Sequence, residues 1–294
     1  MSGELNSPFR YAGGKFYARD LIVPLIPKHE SYCEPLCGGA SIFFAKSKVK
    51  SNWLNDNDEE LINCLIHIRD KPLELGNFLA GKKPSKEAHS YYKNEFKPKN
   101  DLERAGRWYF LNRISYSGIM NMQNCFWGYG DKYSMQPKNW GRHITRCSGK
   151  LQNVRITCQD FEPVIDNVLN DSFLFVDPPY FNRDQDKFYS HTFTTDDHNR
   201  LNETLRRNSN RIKFILTYDD DEEIRKMYSW ATEVLEQQWY YTINRTDDQT
   251  KRTNNKGKRY KGKELFILNF KTSQSKTTSI VHLQNPPKLP LSAQ

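Results

Sequence analysis

Several absences narrow what this chain can be. No window approaches the roughly eighteen apolar residues that a membrane helix needs, and the opening MSGELNSPFR lacks the apolar core of a secretion signal. A cytoplasmic protein with no membrane attachment is therefore expected. The six cysteines, Cys33, Cys37, Cys64, Cys125, Cys147 and Cys158, include no C-x-x-C pair and none lies at zinc-finger spacing from a histidine. They read as reduced structural thiols, and no metal site is expected. His67, His89 and His198 are assigned no role beyond capping or packing. A phosphate-binding loop of the form G-x-x-x-x-G-K-[ST] is missing, which favours a nucleoside or amino-acid ligand over a triphosphate. There are no internal repeats.

What is present is a globular but polar composition of 294 residues, 37% hydrophobic, 27% charged and 13% aromatic, with a net charge of +9. That charge is not spread evenly. Residues 81–150 hold 14 basic and 5 acidic side chains, whereas the rest of the chain balances at 30 of each. The same block carries Trp108, Tyr109, Phe110, Tyr116, Phe126, Trp127, Tyr129, Tyr133 and Trp140. Basic groups interleaved with rings suit phosphate contact combined with base stacking or wedging, although about half of such rings belong in a core. A second basic stretch, KRTNNKGKRYKGK at 251–263, has no acid, and its glycines suit a mobile loop along a phosphate backbone.

Outside the block, short apolar runs alternate with amphipathic segments. HESYCEP, KSNWLND, VRITCQD, SFLFVDPP and RIKFILTYDD each read as a strand that ends in an acid. In TTDDHNRLNETLRRN, Leu201 and Leu205 fall at i, i+4 behind Thr195 and Asp196, which serve as cap candidates for a helix. VLEQQWYYTIN and ELFILNF flank the second basic stretch as an antiparallel edge hairpin. The pattern implies an α/β fold with a doubly wound, mainly parallel sheet whose ligands bind at the carboxyl ends of the strands. The Ser/Thr/Pro-rich residues 273–294 read as a flexible tail.

Three constellations carry chemistry. In CEPLCGGASIFFAK, Gly38 and Gly39 follow a strand and let the backbone approach a ligand. In NWLNDNDEE, Asp56 ends a strand about twenty residues beyond the glycines, where a carboxylate accepts from ribose hydroxyls; Asp58 is the second choice, and a helix cap is the plainer reading of either. In VDPPY, Asp177 precedes two residues without an N–H, so Asp177 and Pro178 offer acceptors beside the Tyr180 ring. Such a ledge can accept both protons of an exocyclic amine and free its lone pair for attack on an electrophilic methyl.

Taken in order, PFRYAGGK, EPLCGGASIFF, NDND, LNR followed by YSG, VDPPY and KELFILNF resemble the Dam-type DNA adenine-N6 methyltransferases of the D12 class, α-group. The resemblance covers nearly all of residues 8–270. It implies a Rossmann-like methyltransferase sheet, S-adenosylmethionine as cofactor and duplex DNA as substrate, with a mainly helical target-recognition domain inserted at 76–150 between catalytic segments 1–75 and 151–272. It implies cofactor contacts at Tyr11, Lys15, Glu34, Gly38, Gly39, Asp56, Asp160, Phe161 and Asp177, catalysis by Asp177, Pro178 and Tyr180, and DNA contacts at Arg10, Asn112, Arg113, Tyr116, Ser117 and Asn121, with Tyr116 as a wedge in the base stack. VDPPY alone would also fit an RNA adenine-N6 or a DNA cytosine-N4 methyltransferase.

Two departures stand out. The usual G-x-G of the family becomes Gly38, Gly39, Ala40, which leaves cofactor binding expected. Asn121 stands where GATC-specific members carry a guanine-reading arginine, and because asparagine pairs with adenine, a target other than GATC is expected. The resemblance further implies a bacterial or phage-encoded enzyme, a monomer or weak dimer, with any cognate restriction endonuclease acting separately.

Overall fold

A computed structural model describes residues 5–11, 13–130, 134–181, 193–240 and 261–272. Tyr133, most of the 251–263 basic stretch and the 273–294 tail lie outside the described residues. All seven expected strands form: β1 (Ser31–Glu34), β2 (Ser51–Asp56), β3 (Arg155–Cys158), β4 (Ser172–Val176), β5 (Ile212–Asp219), β6 (Glu233–Tyr240) and β7 (Lys261–Leu268). They make one sheet in the order β3-β2-β1-β4-β5-β7-β6. β1 to β5 are mutually parallel, and β7 joins antiparallel to both β5 and β6.

β4 shows why these runs fold as they do. Its five residues are all buried, and successive side chains point to opposite faces. Phe173 and Phe175 therefore join one core with Tyr32, Phe43 and Phe266, while Leu174 and Val176 join a second with Trp53, Phe214 and Leu216. A strand apolar on both faces needs a layer on each, and each fully buried side chain contributes about 1.5–3 kcal/mol. On the first face lie α3 (Glu59–Asp70), α4 (Pro72–Leu79), α6 (Asp101–Ile114) and α7 (Trp140–Leu151), preceded in the chain by the short α1 (Arg19–Ile22) and α2 (Ser41–Ala45) and, within the group, by α5 (Lys86–Asn94). On the second face lie α8 (Phe161–Asn167), α9 (Thr195–Asn208) and α10 (Glu222–Met227). Caps fix where helices begin. Asp58 accepts from the Glu60 and Leu61 N–H groups to start α3. The cap of α9 is Thr194, in a capping box with Asp197, rather than Thr195 or Asp196.

Among the described residues, the buried side chains of 76–150 join the core of the sheet. Leu79, Trp108, Tyr109, Phe110, Trp140 and Ile144 share the first-face cluster with Tyr32 and Phe43. One arrangement matters for the site. β1 lies between β2 and β4, so the chain order reverses at the β1/β4 boundary, and the loops after these two strands diverge to leave a crevice at their carboxyl ends.

Candidate active site

The residues at that crevice come from six separate segments. The cleft is lined by Tyr11 and Lys15 from the N-terminal loop, by Glu34 and residues 36–42 after β1, by Asp56, Asn57 and Asp58 after β2, by Asp160 and Phe161 after β3, and by Phe175, Asp177 and Pro179 of β4 and its end; Phe193 and Asp197 close it. Each residue expected at the cofactor, namely Tyr11, Lys15, Glu34, Gly38, Gly39, Asp56, Asp160, Phe161 and Asp177, is among them.

The turn after β1 is unusual backbone. Gly38 has φ +45° and Ala40, which opens α2, has φ +51°. A Cβ on Gly38 would lie 2.7 Å from Tyr11 Cε1, and one on Gly39 would lie 2.9 Å from Tyr11 Cβ. The nearest object that the glycines admit is therefore the Tyr11 side chain, which packs directly on the turn. Asp56 holds the same turn: its Oδ2 accepts from the Gly38 N–H at 2.8 Å and its Oδ1 from the Asp58 N–H at 3.1 Å. Burial pushes the Asp56 carboxyl up to about 6. Asp58 is occupied as the α3 cap, which separates the two acids by role. Between them in function is Asn55, fully buried, which donates to the Pro35 and Gln159 carbonyls and accepts from Thr157, tying together the ends of β1, β2 and β3.

Glu34, at the end of β1, is 2% exposed and accepts from the Tyr32 hydroxyl at 2.6 Å and the Phe43 N–H at 2.7 Å. Burial outweighs both bonds and pushes its carboxyl up to about 7. Asp160 caps α8 and pairs with Arg200 at 2.7 Å, while the Arg200 guanidinium lies over the buried Phe161 ring.

Asp177, directly after β4, is the meeting point. Lys15 Nζ donates to its Oδ1 at 2.6 Å and so does the Thr217 hydroxyl, also at 2.6 Å. Lys15 is buried; desolvation would lower its ammonium, but the charges of Asp177 and Glu264 outweigh that and raise it. Lys15 Nζ also stands 4.9 Å from the Tyr180 ring centroid and 4.0 Å from Glu264 Oε2. Tyr180 is half-buried beside Tyr218 and lies next to the cleft lining; Pro178 is buried, and it is Pro179 that faces the cleft. Thr217 and Glu264 were not singled out in the sequence. Glu264 is an acid inside an apolar strand, which is a signal; Thr217 is one hydroxyl in a buried run, which is hardly one.

The residues expected at DNA divide by exposure. Arg10 is half-buried, and Asn112 is fully buried with its amide spent on the Arg10 backbone and the Gly118 carbonyl. Asn112 thus holds Arg10 in place. Arg113 is also buried and donates to the Pro8 carbonyl, which takes it away from the surface. Tyr116 N–H donates to the Phe126 carbonyl beside an antiparallel bridge between Ser115 and Trp127. Ser115 is buried against His89, and on the other side of the ladder Tyr116 and Phe126 stand exposed, at 37% and 61%. Ser117 turns the chain at φ +52°. Asn121 is half-exposed in a tight turn, its side-chain oxygen accepting from the Gln123 N–H. Of the other rings in the block, Trp108, Tyr109, Phe110 and Trp140 are core and Trp127 and Tyr129 are half-buried.

Among the described residues, the lining holds six acids, Glu34, Asp56, Asp58, Asp160, Asp177 and Asp197, against the single lysine Lys15. Such a cleft suits a cationic ligand with hydroxyls to donate. Among the described residues no helix is long and apolar enough to cross a membrane.

The chain is 26% identical over 283 residues to the type II methyltransferase M1.LlaDCHI of Lactococcus lactis subsp. cremoris, covering 90% of this chain and 95% of the relative. It is 31% identical over 206 residues to the type II methyltransferase M.MjaIII of Methanocaldococcus jannaschii, covering 59% and 68%. It is 24% identical over 234 residues to the DNA adenine methylase of Salmonella typhimurium, covering 76% and 84%. Residues 11–243 match the family model for the D12 class N6 adenine-specific DNA methyltransferases, and the chain belongs to that family.

Proposed function

We propose that the cleft between the ends of β1 and β4 binds S-adenosylmethionine and that Asp177, Pro178 and Tyr180 hold an adenine flipped out of duplex DNA beside it. The observation that carries this reading is the convergence of Lys15, Gly38, Asp56 and Asp177, far apart in sequence, on one acid-rich crevice at the switch point of the sheet. When bound, S-adenosylmethionine would supply an electrophilic methyl on a positively charged sulfur: the adenine N6 would form its bond to that methyl as the C–S bond breaks, and N6 would give up one proton to solvent. Asp56 accepts from the ribose hydroxyls, Phe161 and Tyr11 flank the base of the cofactor, and Glu34, Lys15 and Asp177 border its amino-acid part. Asp177 accepts an N–H of the target amine and Tyr180 stacks on its ring, which helps offset an unstacking cost of roughly a few kcal/mol. The contribution of the protein is position and a fixed field of charges, with no covalent intermediate on the enzyme.

On the DNA side, residues 76–150 serve as a target-recognition region carried on the catalytic core of 1–75 and 151–272. Tyr116, with Phe126 beside it, offers rings to the base stack, Arg10 lies at the target base, and Ser117 and Asn121 face the duplex. Asn121 favours an adenine-containing target other than GATC. The enzyme works as a monomer or weak dimer, with any cognate endonuclease acting separately.

Asp177→Ala tests the assignment. Methyl transfer should fall by at least about 100-fold, the scale of losing a preorganised group at the reacting centre, while cofactor binding by calorimetry is partly retained. Near-normal turnover would remove Asp177 from the mechanism.

A further inference from the structure

The hydroxyl of Thr217 is polar chemistry in a place where the fold asks for none. Thr217 sits in β5, fully buried and paired with Phe266 of β7. Valine would fill the same shape with no polar atom to desolvate, and a buried hydroxyl left without a partner costs about 1–3 kcal/mol. A hydroxyl has one proton to give. The Val176 carbonyl stands 3.4 Å away and Asp177 Oδ1 2.6 Å away, so the proton goes to the carboxylate. Lys15 Nζ reaches the same oxygen at 2.6 Å from the N-terminal loop. Asp177 Oδ2 accepts no hydrogen bond among the described residues.

This asymmetry has a geometric consequence. The terminal torsion of an aspartate is soft, and a carboxylate held by one donor can still swing about that contact. Two donors, one from the N-terminal loop and one from the neighbouring strand, converge on one oxygen and fix both the plane of the carboxylate and which oxygen keeps its acceptor capacity. We propose that Thr217 is a positioning residue for methyl transfer: with Lys15 it occupies Asp177 Oδ1 and so presents Oδ2 alone to the target amino group. The inference rests on the role given to Asp177 above. An amine that must attack in line tolerates little misplacement, and orientation of this kind acts on the transfer step more than on ligand affinity.

Thr217→Val and Thr217→Ser separate this role from simple packing. Single-turnover methyl transfer from S-adenosylmethionine to duplex DNA is measured for each variant beside wild type, with cofactor affinity from calorimetry and folding from thermal melts. Thr217→Val should lower the transfer rate about 10- to 100-fold, as expected for losing a hydrogen bond to a charged group, with cofactor affinity changed by no more than about twofold. Thr217→Ser, which keeps the hydroxyl and loses the methyl, should restore most of the rate. A wild-type rate in Thr217→Val, or Thr217→Ser falling as far as Thr217→Val, overturns the proposal. In both overturning cases the wild-type rate and the loss in Asp177→Ala stand unchanged, so the role of Asp177 survives the failure of this inference.

Discussion

A carboxyl group stands at the end of each of the two strands that border the switch point, and burial bears on two acids of this cleft. Glu34 has its carboxyl pushed up to about 7 and Asp56 to about 6, in both cases chiefly by desolvation. The folded protein therefore holds these protons more tightly than the unfolded chain does, so unfolding releases protons between roughly pH 4 and 7, and raising the pH through that window favours unfolding. Ligand-free protein should thus melt at a lower temperature at pH 7.5 than at pH 5.5 as far as these groups contribute. Glu34→Gln should flatten the upper part of that slope in a series of thermal melts; an unchanged slope would mean that Glu34 is ionised in the folded protein at both pH values. The local charge imbalance also gives a reason for the ligand to be cationic, because a positive group in the cleft favours the ionised acids.

At the scale of elements, the turn between β1 and α2 is the part most sensitive to a single methyl group. Gly38→Ala must place a Cβ at φ +45° and 2.7 Å from Tyr11 Cε1, which costs about 1–2 kcal/mol in backbone strain alone and displaces the Tyr11 ring. Calorimetry should show cofactor binding weakened by about tenfold or more, with the fold retained in circular dichroism; unchanged affinity would mean that Tyr11 does not border the cofactor. This turn also shows what sequence can and cannot deliver. β4 and β5 were legible as compact apolar runs, and Glu34, Asp56 and Asp177 because each stands at the end of a strand run. The partner of the glycines was not, since Tyr11 lies 27 residues before Gly38 in the chain and only the fold brings its ring onto the turn. Thr217 was invisible for the same reason: its hydroxyl acquires a role only because β5 lies beside β4. Asn112 and Arg113 show the reverse case, polar residues in a basic block that the packing of α6 turns inward.

At the scale of the whole molecule, the excess positive charge is concentrated in residues 81–150, while the rest of the chain balances at 30 basic and 30 acidic side chains. Contacts between such a block and phosphates release counterions, so DNA affinity should fall steeply with salt, by about 0.9 in the log–log slope for each phosphate contact, as a filter-binding series would measure. A binding constant indifferent to salt would exclude that block from the interface. Sequence preference is a separate matter, assigned by the proposal above to Asn121. Mapping methylated adenines in DNA from cells expressing the protein should reveal a site other than GATC, and modification confined to GATC would contradict the role given to Asn121. The most direct test of the account as a whole is to incubate the protein with methyl-labelled S-adenosylmethionine and duplex DNA, digest the DNA and identify the labelled nucleoside. The account predicts label in N6-methyladenine, lost in Asp177→Ala. Label in N4-methylcytosine, or label accepted by RNA and refused by duplex DNA, would contradict it.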